Sequence, residues 1–317
     1  MSTINRQVLT DLNKSFRVIF NDALTDDSAS PFQAGTVLNI DSQTSIEEYN
    51  WLNAFPRLRE WIGERKVADF KAEEHQIKNR SYEATIGVKR EHIMDEQFGL
   101  YEPQIQSLAN EYGRKVRRHL SALLQAGLSG TIQVDDDPAR SITGYDGQNF
   151  FSASHPRSKE GLSAQSNITD GGSDPLAPAT LDEALEVMET RESENGDILG
   201  LSPNLLVAGP ASRGAIADRF DVERLSDGST NRFFNFFDRV VIEPYLGRND
   251  ENIYLFDTSF ALKPFIFQDR MSPELTAKTD PEDDNVFMKN EYLYGVYARY
   301  GMGFGLWQMA HVIEKTA

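Results

Sequence analysis

Residues 102–126 read EPQIQSLANEYGRKVRRHLSALLQA, and no other stretch restricts the fold as strongly. Ile105, Leu108, Tyr112, Val116, Leu120, Leu123 and Leu124 recur at spacings of three and four, which predicts one helix with a single apolar stripe. Pro103 suits the first helical turn, Glu111 and Lys115 stand four apart, and Gly127 is placed to end the helix. A helix of that length reaches about 37 Å, the width of a small domain, so the remaining elements must be laid along it. The polar face carries Arg114, Lys115, Arg117 and Arg118, the densest basic patch in the chain. Two uses compete for this patch: a face toward nucleic acid, or ion pairs with carboxylates of this chain or of a neighbouring subunit. The second suits a chain with 49 acidic and 32 basic residues and a net charge of −17, which repels nucleic acid at long range unless its cations are gathered.

On the N-terminal side, Val8, Leu9, Leu12, Phe16, Ile19, Phe20 and Ala23 give residues 3–24 a helical pattern that needs an apolar partner, in its own chain or in another. SIEEYNWLNAFPRLREWIG (45–63) is interrupted by Pro56. Beyond it, Tyr82, Ala84, Ile86 and Val88 alternate with polar residues or glycine, a strand with one buried face. The reading is a long, charged, two-stranded ribbon over roughly 64–90, reversing at Asn79-Arg80. Such a ribbon is marginal alone in water and must be stabilised by packing.

Residues 129–178 are rich in Gly, Ser, Asp and Pro, with Tyr145, Phe150 and Phe151 as isolated anchors. The stretch is too long for a routine connector and reads as an exposed functional or contact loop with short strand pieces, or as a disordered linker. A helix is predicted over 180–192, capped by Thr180 with Glu183 completing the box. A strand at 204–209, a helix in PASRGAIADRF and strands in VVIEPYL and NIYLFDTS follow, giving an α+β lobe over about 179–260. KPFIFQD and the glycine-interrupted 286–314 read as strands returning to a core shared with the long helix.

Chemistry-bearing patterns are sparse. With no cysteine, disulfides, thiolate metal sites and cysteine nucleophiles are excluded. His75, His92, His119, His155 and His311 fall in no metal-ligand spacing, and Asp135–Asp137 and the acidic run at 280–284 lack the alternation of a calcium loop. His155 with Ser152 and Ser154 invites a serine-hydrolase reading, but no GxSxG elbow is present. GMGFG (301–305) lacks the lysine and hydroxyl of a phosphate loop. No catalytic residue, metal or cofactor is predicted, and no stretch has the apolar length of a membrane span.

In order and spacing, FPRLREWIGERKV, IKNRSYEATIGVKREHIMDEQFGLYEPQIQSLA, YDGQNFFSASHP, SNITDGG and KPFIFQDR resemble the Mu-like phage and prophage major head subunit family over roughly residues 8–315. The resemblance implies an α+β, HK97-like capsid fold and a major capsid protein of a tailed phage. It implies an N-terminal arm (1–45), a peripheral lobe (46–178) with an extended loop (60–90), a spine helix (102–126) and the long polar loop (129–178), an axial lobe (179–260), and C-terminal strands (261–317) returning to the peripheral lobe. The implied partners are copies of the chain in pentamers and hexamers, a separate scaffolding protein, a portal and packaged double-stranded DNA without sequence preference, with room for a decoration protein and no membrane. The implied location is the virion capsid, reached from the bacterial host cytoplasm where assembly takes place. Expected assembly contacts are Trp61, Ile62 and Lys66 at the ribbon base, Asn79, Arg80 and Tyr82 near its tip, and Phe265, Phe267 and Arg270 later in the chain. Another phage structural role (tail sheath, tube or decoration) and a soluble enzyme or binding module are the competing readings.

Overall fold

The computed structural model describes residues 6–26, 30–49, 75–94, 101–157, 161–225 and 228–316. The first part of the chain supplies helix α1 (Arg6–Asp26), α2 (Pro31–Thr36), strands β1 (Val37–Asp41), β2 (Ile46–Glu48), β3 (Gln76–Lys78) and β4 (Arg80–Lys89), and the short α3 (Arg90–Met94). The long helix α4 (Glu102–Ser129) leads to β5 (Thr131–Ile132), β6 (Arg140–Ser141) and β7 (Ile168–Asp170). Then come α5 (Pro178–Glu189), β8 (Leu205–Ala208), α6 (Arg213–Phe220), β9 (Arg239–Ile242) and β10 (Ile253–Phe256). The chain closes with β11 (Phe265–Lys278), α7 (Asp284–Lys289), β12 (Glu291–Phe304) and β13 (Ala310–Glu314).

Two sheets organise these elements. The first has the order β1-β11-β12-β4, the second β7-β13-β10-β8-β9. β11 and β12 form a long antiparallel hairpin, β4 runs antiparallel to β12, and β1 lies parallel to β11. Helix α4 serves both cores. Ile105, Leu108 and Ala109 on its N-terminal half join one apolar cluster with Leu9, Leu12, Phe16 and Phe20 of α1 and Tyr292, Tyr294 and Val296 of β12. Val116, Leu120, Leu123 and Leu124 on its C-terminal half join the larger cluster, which contains the second sheet. The N-terminal helix thus finds its apolar partner on its own chain. Phe16 meets the Tyr294 ring edge-on at 5.0 Å, and each of the four buried α1 side chains contributes about 1.5–3 kcal/mol of burial before ordering costs.

Several expectations are corrected. Helix α4 runs three residues past its predicted end, because Gly127 does not stop it. Gly127 is there for space: a Cβ at that position would lie 2.7 Å from Cδ2 of Phe151. Termination falls to Gly130, whose φ of 69° is the left-handed cap and whose N–H donates to Ala126 O. Helix α5 starts at Pro178 after Ala177, with no side-chain cap from Thr180, since a proline in the first turn has no N–H to satisfy. No reversal occurs at Asn79-Arg80. The buried residue Asn79 merely separates β3 from β4; β4 pairs with β12, and β3 pairs with β2. Residues 286–289 are the helix α7 rather than strand. Finally, β13 does not return to the first sheet: after a 3-10 turn at Trp307–Met309 it pairs with β10 and with β7 of the long polar segment.

Candidate assembly surfaces

β4 is an outer strand of the first sheet, and its start shows how the expected contact residues are used. Asn79 is buried, donating from Nδ2 to Ser42 Oγ (2.6 Å) and Thr44 O (2.8 Å), which fastens the β3–β4 junction to the turn after β1. Tyr82 stacks on Tyr300 at 4.3 Å. Two of the three expected tip contacts therefore work within the subunit, whereas the third, Arg80, and nearby Lys78 are exposed. Phe265 and Phe267 are likewise core residues. Phe265 lies against Phe32, Phe150 and Phe256, and Phe267 stacks on Tyr300 at 5.3 Å. The continuous apolar run Phe265-Ile266-Phe267 explains the misplacement, because a strand buried on both faces within the chain looks the same in sequence as one with a contact face. Arg270 is half-buried. Trp61, Ile62 and Lys66 lie outside the described residues.

The basic face of α4 is an ion-pair network. Lys115 Nζ sits 3.1 Å from Asp135 and 2.9 Å from Asp137; Arg118 pairs with Asp135 (3.0 Å) and Glu111; Arg114 pairs with Glu111 (2.9 Å). The predicted Glu111–Lys115 pair is replaced, with Glu111 taking the arginines and Lys115 turning to the loop after β5. Partial burial opposes the charge on Lys115, but the hydrogen bonds it donates to Asp137 and Asp135 outweigh it and hold its pKa above the ordinary lysine value. Arg114, Lys115 and Arg118 are therefore compensated within the chain, and Asp135 and Asp137 serve as partners of Lys115 and Arg118 rather than as a cation site.

Beside this network, α4 presents His119 toward the sheet. Burial, reinforced by the charges of Arg140, Lys115 and Arg80, pushes its imidazole down to about 3. Neutral His119 accepts at Nε2 from Arg140 (3.0 Å), so a guanidinium is anchored by an uncharged partner. The result is a cleft of about 430 Å3 lined by Lys78, Arg80, Arg140, Ser141, Tyr82 and Met302 among others. Among the described residues, no carboxylate lines it.

His155 does have the beginnings of a relay, with Nδ1 2.6 Å from Asp146 Oδ2. Its Nε2, however, faces Asn167 Oδ1 (3.1 Å), not a serine hydroxyl. Asn167 is locked in that orientation because Oδ1 also accepts from the Ser152 N–H and Nδ2 donates to Phe150 O. The imidazole is buried and stacked on Trp307 at 3.9 Å. The trio pins the polar loop to the core and leaves no position for a nucleophile. Among the described residues, no group of three His, Asp or Glu could hold a metal ion, and no helix is long and apolar enough to cross a membrane.

Sequence reasoning missed the far end of the β11–β12 hairpin. Phe287 and Met288 of α7 are 82% and 75% exposed, the most exposed large apolar side chains described. They are held rigidly: Val286 is buried, Asn285 Nδ2 bridges Lys278 O and Glu291 O, and Asn290 closes the helix at φ 53°. The available signal was VFM one residue after the acidic run at 280–284, an apolar triplet where a solvated turn needs none. Arg140 was missed because only the fold carries it to His119.

A family model described as Mu-like prophage major head subunit gpT matches residues 9–179, 171–246 and 245–317. The chain is similar to the major capsid protein of Escherichia phage Mu, 28% identical over 303 residues, spanning 96% of this chain and 72% of that protein. It is also similar to the Mu-like prophage FluMu major head subunit of Haemophilus influenzae, 26% identical over 315 residues, spanning 99% and 75%. Among solved structures, a chain of the procapsid of bacteriophage JBD30 superposes with a TM-score of 0.61 at 29% identity, spanning 99% of this chain and 77% of that one.

Proposed function

Given that the chain belongs to the Mu-like prophage major head subunit family, we propose that its two-sheet body is the repeating tile of an icosahedral phage head. The fold is the HK97-like capsid fold and the protein is a major capsid protein. The observation that carries the reading is the match along nearly the whole chain, on a body whose buried polar trio offers structural anchoring and no nucleophile. Finer assignments belong to the proposal. Residues 1–45 form the arm, 60–90 the extended loop, and α4 the spine of a peripheral lobe built on the first sheet. Residues 179–260 form most of the axial lobe, which β7 and β13 complete. Trp61, Ile62, Lys66, Arg80 and Arg270 remain the expected intersubunit contacts. Copies gather as pentamers and hexamers, many weak contacts acting together through high effective concentration.

A separate scaffolding protein and a portal direct assembly in the host cytoplasm, and double-stranded DNA then fills the shell without sequence-specific contact. A net charge of −17 supports this last point, since a lining that held DNA tightly would oppose packaging and release. The test is cryo-electron microscopy of the chain expressed with its neighbouring head genes. Closed icosahedral shells are expected. Helical tubes would move the chain to a tail role, and persistent monomers with an enclosed ligand would reopen the enzyme reading.

A further inference from the structure

Two surface features at opposite ends of one strand complement each other. The hairpin tip is acidic and apolar: Glu282 and Asp284 are exposed beside the rigidly held Phe287 and Met288. The cleft at the other end of the sheet is basic, with Lys78, Arg80 and Arg140 around a lining that includes Ile142 and Met302, and none of the described residues that line it is a carboxylate. In an acidic chain, a cleft whose described lining contains cations and no carboxylate favours an acidic occupant; burial and the nearby charge of Arg80 hold the Arg140 guanidinium below its ordinary pKa, and Asp137 offsets this only in part.

The register of β12 decides whether one chain can satisfy itself. Glu291, next to the tip, pairs with Lys89, whereas Tyr300, next to the cleft, pairs with Arg80. Gly301 lines the cleft ten residues from Glu291, a separation of about 33 Å along a straight strand. A knob cannot reach a socket fixed to the far end of its own strand. Among the described residues the acidic tip of a second copy is the complementary occupant, and each copy carries both halves of the contact.

We propose that the β11–β12 hairpin tip of one copy seats in the basic cleft of a second, with Glu282 and Asp284 facing Lys78, Arg80 and Arg140, and Phe287 and Met288 covering the apolar part of its lining. The inference rests on the shell-forming reading above and adds the pair of surfaces that meet. Such a contact is heterologous, head to tail, so it continues from copy to copy until the array closes on itself. Phosphate of packaged DNA is the competing occupant of the cleft; it would leave the tip without a role.

The absence of cysteine makes the test clean. Phe287→Cys at the tip and Ser141→Cys at the exposed cleft rim are introduced together in shells formed by co-expression with the head genes, then oxidised and run on a non-reducing gel. The expected result is a ladder of disulfide-linked multimers from the double variant, dimers from a co-assembled mixture of the two single variants, and monomers from either single variant alone. Dimers from Phe287→Cys alone would show tip meeting tip and overturn the pairing. Shells whose double-variant subunits remain monomeric overturn this inference and leave the shell reading intact, whereas absence of shells from the unmodified chain overturns both. A second arm needs no cysteine. Lys78→Glu with Arg80→Glu is expected to lower shell yield roughly tenfold through like-charge apposition, and Glu282→Lys with Asp284→Lys in the same chain to restore it. Failure of the restoration, with every variant folded by circular dichroism, sinks the proposal.

Discussion

Gly127→Ala should destabilise the subunit although it replaces glycine with the best helix former inside a helix. The ordinary gain from that exchange is about 1 kcal/mol. Against it stands the Phe151 ring, with Cδ2 at 2.7 Å and Cε2 at 3.0 Å from the new methyl position, where carbon atoms prefer about 3.5–4.0 Å. The ring has little room to retreat, being buried edge-on to Phe150 at 5.0 Å and packed near Tyr254 at 5.7 Å. Overpacking of this kind costs about 1–3 kcal/mol, so with a cost near the middle of that range the expected balance is a loss of about 1 kcal/mol. Urea unfolding of the unassembled subunit, followed by circular dichroism, should show a lower midpoint with an unchanged slope. Phe151→Leu should relieve the clash, so that Gly127→Ala costs less in that background than in the native one. An equal or higher midpoint for Gly127→Ala alone would refute the close-approach argument and return Gly127 to the role of a misplaced helix stop.

Acid should weaken the fold through His119. Its pKa is about 3 in the folded chain and near 6.5 when unfolded, so between those values the unfolded chain binds more protons. Stability should be level above pH 6.5 on this account and fall as pH drops toward 3; His119→Gln, which still accepts from Arg140, should flatten the slope in urea titrations at several pH values, and an unchanged slope would contradict the assignment. Phe265→Ala should cost about 3–5 kcal/mol and reduce the yield of folded subunit, not only of shells, because the ring is fully buried in the chain's own core; normal folding with lost assembly would restore it to an interface. Arg118→Ala should leave non-specific DNA retention at low salt unchanged, since Arg118 already serves Glu111 and Asp135; a marked loss in a filter-binding titration would place the face of α4 against DNA.

The long helix, the β8 and β10 strands and the anchoring of the polar loop by Phe150 and Phe151 were legible because each rests on local periodicity or on isolated apolar residues in polar surroundings. The partners were not. Val88 and Ala84 announce a strand, but nothing near them says that β12, some two hundred residues later, is the strand they meet. Asn79-Arg80 looked like a reversal because asparagine favours turns, whereas its amide is spent on Ser42 and Thr44. The same limit governs the surfaces. Arg80 could be singled out as a charged contact residue, but its meaning depends on Arg140 and His119, which tertiary folding alone brings alongside. The family resemblance pointed to assembly without identifying Phe287 and Met288, since exposure is a property of the finished fold.

An uninterrupted α4 also sets the mechanics of the tile. Its 28 residues are rooted at one end in the α1–β12 cluster and at the other in the core of the second sheet, so it acts as a beam clamped at both supports. A beam of this kind has no joint to fold at, and differences of tilt between one end of the subunit and the other must be absorbed as curvature. Helices bend smoothly to radii of about 60–100 Å, which over a length of about 42 Å changes the direction of the axis by about 25–40° with no hydrogen bond broken. Elastic flexure on that scale is the deformation open to the subunit while both cores stay closed.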